Sequence, residues 1–287
     1  MIKTYSMLTK PGIIFGNVVT TLGGFALASK GDIDFFKLLT TLLGLSFIIA
    51  SAGVFNNYLD READAKMERT KNRPLATGLI PNPSALAFGL WLLLIGIVIL
   101  GIYTNALTLG LSLLGFFIYL VLYAFMKYRS FYGTLVGSVA GAIPPLVGYT
   151  SISNQIDMGG IFIFLLVAVW QMPHFFAISI YRLEDYKAAD IPVLPLQKGL
   201  EKTKIQMFFY IIAFVFVSLM LTVSGYTGYT YASLALFLGA LWLWLCFQGF
   251  STEESKDKRW AKKMFICSLV VIFTLSLAIP FDVRAAS

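Results

Sequence analysis

Between Arg73 and Lys127 the chain runs for 53 residues without one charged side chain. A helix crosses the hydrocarbon core of a bilayer in about 20 largely apolar residues, so this stretch is too long for one crossing. It divides at the polar Tyr103-Thr104-Asn105 into two. Residues 11–29, 38–59, 133–156, 158–181 and 264–281 are also free of charge and fit one helix apiece, and 205–252 divides at Ser224-Gly225-Tyr226-Thr227-Gly228 into two more. The expectation is an all-α, polytopic membrane protein of nine transmembrane helices, forming one domain over residues 1–287. Composition supports it: 58% of the residues are hydrophobic and 13% charged, too few charges to clothe a surface facing water.

The net charge of +7 is informative only once mapped. With nine crossings, every Lys and Arg except Lys30, Lys37 and Arg284 falls on the side that holds the N-terminus. The positive-inside rule then puts the N-terminus in the cytoplasm and the C-terminus outside; a bacterial inner membrane, with the C-terminus in the periplasm, is the expected setting. The basicity marks topology and contact with the lipid bilayer, and no nucleic-acid partner is expected. Lys3 and Lys10 ahead of an apolar run ending in Ala26-Leu27-Ala28 have the outline of a secretory signal. Asn17 and the Thr20-Thr21 pair interrupt that run, so it is expected to persist as the first span.

Cys246 and Cys267 lie in predicted spans without a CxxC or Cys/His spacing, and read as small apolar side chains. The chain has no phosphate-binding glycine loop, GxSxG or HExxH motif. Its polar chemistry gathers in two inner loops, 60–83 and 181–204, which carry ten of the 22 basic residues. Loops of that length in a compact protein tend to be functional.

The first loop opens on Asn56, Asp60 and Asp64. Their i, i+4, i+8 spacing sets an amide and two carboxylates on one helical face. Carboxylates stacked in this way repel unless a cation lies among them, and all-oxygen donors favour Mg²⁺. Mg²⁺ completes its octahedron with water and substrate phosphate, so a phosphorylated substrate is implied. Lys66, Arg69, Lys71 and Arg73 follow, and arginine forks grip phosphate. The second loop repeats the theme: Asp185 follows Tyr181 by one turn, 125 residues after Asp60. That offset suggests a repeat of helices 1–4 in helices 5–8, with a ninth added. His174, the one histidine, stands beside Pro173 in the sixth predicted span. An ionisable side chain within a span is a candidate functional group, and imidazole is a common haem ligand. The alternative is an imidazole bonded to a carbonyl that Pro173 has freed. Aromatic residues make up 15% of the chain, and aromatic faces suit a carbocation where water is excluded.

Asn56-xxx-Asp60-xxx-Asp64, Arg69-Thr70-xx-Arg73-Pro74, Trp170-Gln171-Met172-Pro173-His174, Asp185-Tyr186 and Pro192-Val193-Leu194-Pro195 together resemble the intramembrane aspartate-motif prenyltransferases. Within them the chain is similar to the branch that farnesylates protohaem IX. The resemblance runs from Thr9-Lys10-Pro11-Gly12 to about Trp260 and covers most of the chain. It implies an apolar cavity enclosed by nine helices, an active site near the cytoplasmic face, and transfer of farnesyl from farnesyl diphosphate to a vinyl group of haem b, giving haem O and diphosphate. It implies Mg²⁺ held by Asn56, Asp60, Asp64 and Asp185, and diphosphate contacts from Arg69, Lys71, Arg73 and Arg182. Haem, a substrate rather than a cofactor, would meet His174, Trp170 and Lys10. Haem A synthase or terminal-oxidase assembly are the partners it suggests. One departure is that Asp190 follows Asp185 by five residues instead of four, which turns it off the shared face and ranks it below Asp185. Three alternatives stay open: a prenyltransferase of aromatic or quinone precursors, a transporter with paired inner gates, and a haem-binding assembly factor.

Overall fold

The protein was analysed as a computed structural model that describes residues 2–251 and 254–284. Among these, nine helices are long and apolar enough to cross a membrane: Pro11–Ser29, Phe35–Leu59, Asn82–Tyr103, Ala106–Lys127, Gly133–Ser153, Met158–Tyr181, Leu200–Val223, Tyr229–Ser251 and Asp257–Asp282. They are called the first to ninth spans. No β-strand occurs among the described residues, and one isolated bridge pairs Thr227 with Val283.

Short polar signals set the helix ends opposite the two long loops. Asp34 accepts from the Lys37 amide at 2.9 Å, Asn105 from Thr108 at 2.9 Å, and Asp157 from Gly159 and Gly160 at 3.0 and 3.2 Å. Each of these side chains satisfies amides that a starting helix leaves unpaired. On the side that carries the two long loops, two boundaries differ from the apolar runs. The third span starts only at Asn82, with Pro83 in its first turn where a missing N–H costs nothing; residues 74–81 are apolar loop. The ninth starts at Asp257 and carries Lys258, Arg259, Lys262 and Lys263 as helix before the apolar stretch begins. A further helix, Ile2–Leu8, precedes the first span.

The first span packs against the fifth and ninth, the second against the third, and the sixth against the seventh and ninth. Small residues allow the closest approach. A Cβ at Gly24 would fall on the Pro145 carbonyl, and one at Gly148 on the Thr21 carbonyl, so the first and fifth helices meet backbone to backbone, as small-residue seams permit in lipid. The main core joins spans six to nine through Trp242, Phe214, Tyr231, Met207 and Leu166. At the end of the bundle that carries the two long loops, Lys204 donates to Asp257 at 2.7 Å and to the Gly249 carbonyl at 2.8 Å, tying the seventh span to the ninth and the eighth. The fourth span contains a π-helical segment, Ile118–Tyr123. Such segments often mark functional sites, and this one stacks Tyr119 on Tyr123 with centroids 5.5 Å apart.

Candidate active site

The second span does not stop cleanly at the membrane. The Asp60 amide bonds to Asn56 O at 2.9 Å and the Asp64 amide to Asp60 O at 2.7 Å, so Asn56, Asp60 and Asp64 occupy successive turns of one face. All three are buried, with 2%, 4% and 2% exposure. Burying carboxylates demands compensation, and each of the three side chains here meets a cation. Lys10 donates to Asn56 Oδ1. Lys127 reaches Asp60 Oδ2 at 2.5 Å, with the Tyr128 hydroxyl on Oδ1 at 2.8 Å. Arg73 Nη1 lies 2.7 Å from Asp64 Oδ2. The repulsion expected from sequence is therefore already relieved by three bases.

Lys127 and Tyr128 escape sequence reasoning because they stand 67 and 68 residues from their partner. The one available signal was Lys127's position as the first charge after the long apolar stretch. Its use as a topology marker hid its role as a partner. Three cations around two carboxylates and an amide leave an excess of positive charge. At Lys10 burial first, then the Arg73 guanidinium, lowers the ammonium to about 7 against the opposing pull of Asp60 and Asp64. Burial and the Asp60 carboxylate raise the Tyr128 phenol, which keeps it a donor. Asn56 Nδ2 is buried without a partner, a spare donor in a pocket that favours an anion.

The second loop lies against the first. Asp185, on the short helix Leu183–Ala188, accepts from the Arg69 amide at 3.5 Å. Tyr186 is raised to about 12 by burial and by Tyr123, with Arg69 and Lys127 acting in the opposite sense. A cleft of about 460 Å³ opens here between Arg69, Tyr181, Arg182, Glu184, Asp185 and Lys258. Asp185 thus meets the arginine loop. Among the described residues no three Asp, Glu, His or Cys side chains share a metal position. Two carboxylates and an amide oxygen nevertheless fit Mg²⁺, which takes one or two carboxylates and fills its sphere from water and phosphate. The other candidates separate further. Lys71 is tied to Glu68 at 2.7 Å on the surface, Arg182 stacks on Tyr181 at 4.4 Å, and Asp190 is exposed in a left-handed turn beyond the helix.

His174 is bonded not to a freed carbonyl but to a neighbouring helix: its Nδ1 lies 2.7 Å from Ser268 Oγ. Trp170 stacks on the imidazole at 4.7 Å and donates to Ser268 O at 2.8 Å. Lys10, grouped with these two by resemblance, sits with Asn56 instead.

The UbiA prenyltransferase family model matches residues 17–269. The chain belongs to the UbiA prenyltransferase family. It is an integral membrane prenyltransferase. A protein named protoheme IX farnesyltransferase from Protochlamydia amoebophila is 53% identical over 98% of this chain and 99% of its own length. One of the same name from Yersinia pseudotuberculosis is 46% identical over 100% and 97%. Among solved structures, a UbiA homolog from Archaeoglobus fulgidus bound to GPP and Mg²⁺ superposes with a TM-score of 0.76 at 15% identity, covering 97% of this chain and 99% of that one. A digeranylgeranylglyceryl phosphate synthase gives 0.79 at 20%, covering 98% and 99%. At these identities the structures establish the fold alone.

Proposed function

We propose that the protein transfers farnesyl from farnesyl diphosphate to a vinyl group of haem b, giving haem O. The observation that carries this is the similarity, over nearly the whole chain, to relatives named for that reaction. The buried, cation-ringed face of Asn56, Asp60 and Asp64 supplies a site with the matching chemistry. Mg²⁺ held there would neutralise charge on the leaving diphosphate. Arg73, Lys127 and Lys10, already within reach of the acidic face, would donate to diphosphate oxygens, as would Arg69 from the adjoining loop. That stabilises the departing group as the allylic C–O bond breaks. The stacked Tyr119 and Tyr123 rings offer π faces to the allylic cation. The terminal vinyl carbon of haem forms the new C–C bond, water adds its oxygen to the other vinyl carbon, and one proton is lost. No general base is required to activate the alkene.

The protein forms a single domain in which helices 5–8 repeat 1–4, and lies in the inner membrane with its N-terminus in the cytoplasm. Haem O passes to terminal oxidases, directly or through haem A synthase. A host deprived of the protein should lose haems O and A while its quinones persist. Loss of quinones with normal haems would point to an aromatic acceptor and reject the proposal.

A further inference from the structure

The imidazole of His174 is held in an arrangement that a packing role does not require. Ser268 Oγ has one proton, and it is committed to the Phe265 carbonyl at 2.6 Å. Toward His174 Nδ1, 2.7 Å away, the hydroxyl can then only accept. Nδ1 must carry the hydrogen, which leaves the lone pair on Nε2. No hydrogen bond occupies Nε2 among the described residues. The ring is fixed in direction as well, with Trp170 stacked at 4.7 Å and Phe265 tilted against it at 5.1 Å. Metal-ligating histidines are set in this way, one nitrogen bonded to an orienting group and the other free for the metal.

The same two helices, the sixth and ninth, carry cations at their cytoplasmic ends. Arg182 and Lys262 both lie against Tyr181, at 4.4 and 6.0 Å from its ring centroid, and Lys258 lines the adjoining cleft with Arg182. At helical rise, His174 to Tyr181 and Ser268 to Lys262 each cover about 10 Å. A porphyrin has the same polarity, with a metal at its centre and two carboxylates on one edge. Four acids line the cleft: Asp257 is paired with Lys204, Glu68 with Lys71, and Asp185 accepts from the Arg69 amide, while Glu184 is exposed; none of the four forms an ion pair with Arg182, Lys258 or Lys262 among the described residues.

We propose that His174 Nε2 ligates the haem iron, that Ser268 positions the imidazole by fixing its tautomer, and that Arg182 and Lys262 hold the propionates. This rests on haem being the acceptor. The test titrates ferric haem b into the full-length protein in detergent without farnesyl diphosphate, reading the Soret band, the ferrous Fe–N stretch by resonance Raman, and affinity. His174→Ala should lose the nitrogen-ligated spectrum and regain it with added imidazole. Ser268→Ala should shift the Fe–N stretch and weaken haem about tenfold, while Ser268→Thr, which keeps the acceptor, restores both. Arg182→Gln with Lys262→Gln should weaken haem b but not its dimethyl ester. An unchanged spectrum in His174→Ala, an unshifted Fe–N stretch in Ser268→Ala, or equal losses for haem and ester would each overturn the assignment. If the wild-type protein farnesylates haem while these variants behave as wild type, only this inference falls; if it neither binds nor modifies haem, the proposed function falls with it.

Discussion

Lys127→Met removes the charge that stands against Asp60 in the absence of metal. Both side chains are largely buried, at 11% and 6% exposure, and 2.5 Å apart. Breaking a buried ion pair by deleting one partner costs roughly 3–5 kcal/mol. The Tyr128 hydroxyl stays on Asp60, so the low end applies, about 3 kcal/mol. With an unfolding entropy of about 2 cal/mol/K per residue, that lowers Tm by about 5 °C. A divalent cation with diphosphate should replace the missing charge, so thermal melts in detergent should show most of the deficit recovered at millimolar Mg²⁺ and diphosphate. Methionine matches the volume of the lysine stem, which limits losses from packing. A melt unchanged by Lys127→Met, or a deficit that Mg²⁺ and diphosphate do not narrow, would refute the view that Lys127 occupies a cation position beside Asp60.

Arg73→Lys keeps charge near Asp64 but loses the planar fork, and should raise KM for farnesyl diphosphate about tenfold, roughly 1.4 kcal/mol, in steady-state assays. Lys204→Met should cost about 3 kcal/mol by stranding Asp257, and adding Asp257→Leu should recover much of it, measured by chemical denaturation of both variants. Gly148→Ala should destabilise by about 1–3 kcal/mol through overpacking against the Thr21 carbonyl. Gly110→Ala, with nothing within 4 Å of its Cβ, should be neutral or slightly stabilising in the same melts.

The spans were legible because lipid imposes one rule on every crossing: a backbone bonded within its own helix and clothed in apolar side chains. Charge absence misjudged the boundaries where that rule lapses. Residues 74–81 are apolar but not helical, and Lys258 to Lys263 are charged but helical, since a helix can continue into the headgroup region. The face of Asn56, Asp60 and Asp64 was legible because i, i+4 spacing survives folding. Its partners were not. Lys127 meets Asp60 across two helices, and Ser268 meets His174 across 94 residues; neither pairing leaves a periodicity in the sequence. Asp185 shows the limit from the other side: its carboxylate accepts from the Arg69 amide, 116 residues away, a contact that no spacing in the sequence announces.

The most direct measurement is the mass of haem recovered after incubating the purified protein with haem b, farnesyl diphosphate and Mg²⁺. The expected product is heavier by one farnesyl group and one hydroxyl, with diphosphate released in equal amount and no product from Asp60→Asn. Haem of unchanged mass beside consumed farnesyl diphosphate, or full turnover by Asp60→Asn, would contradict it.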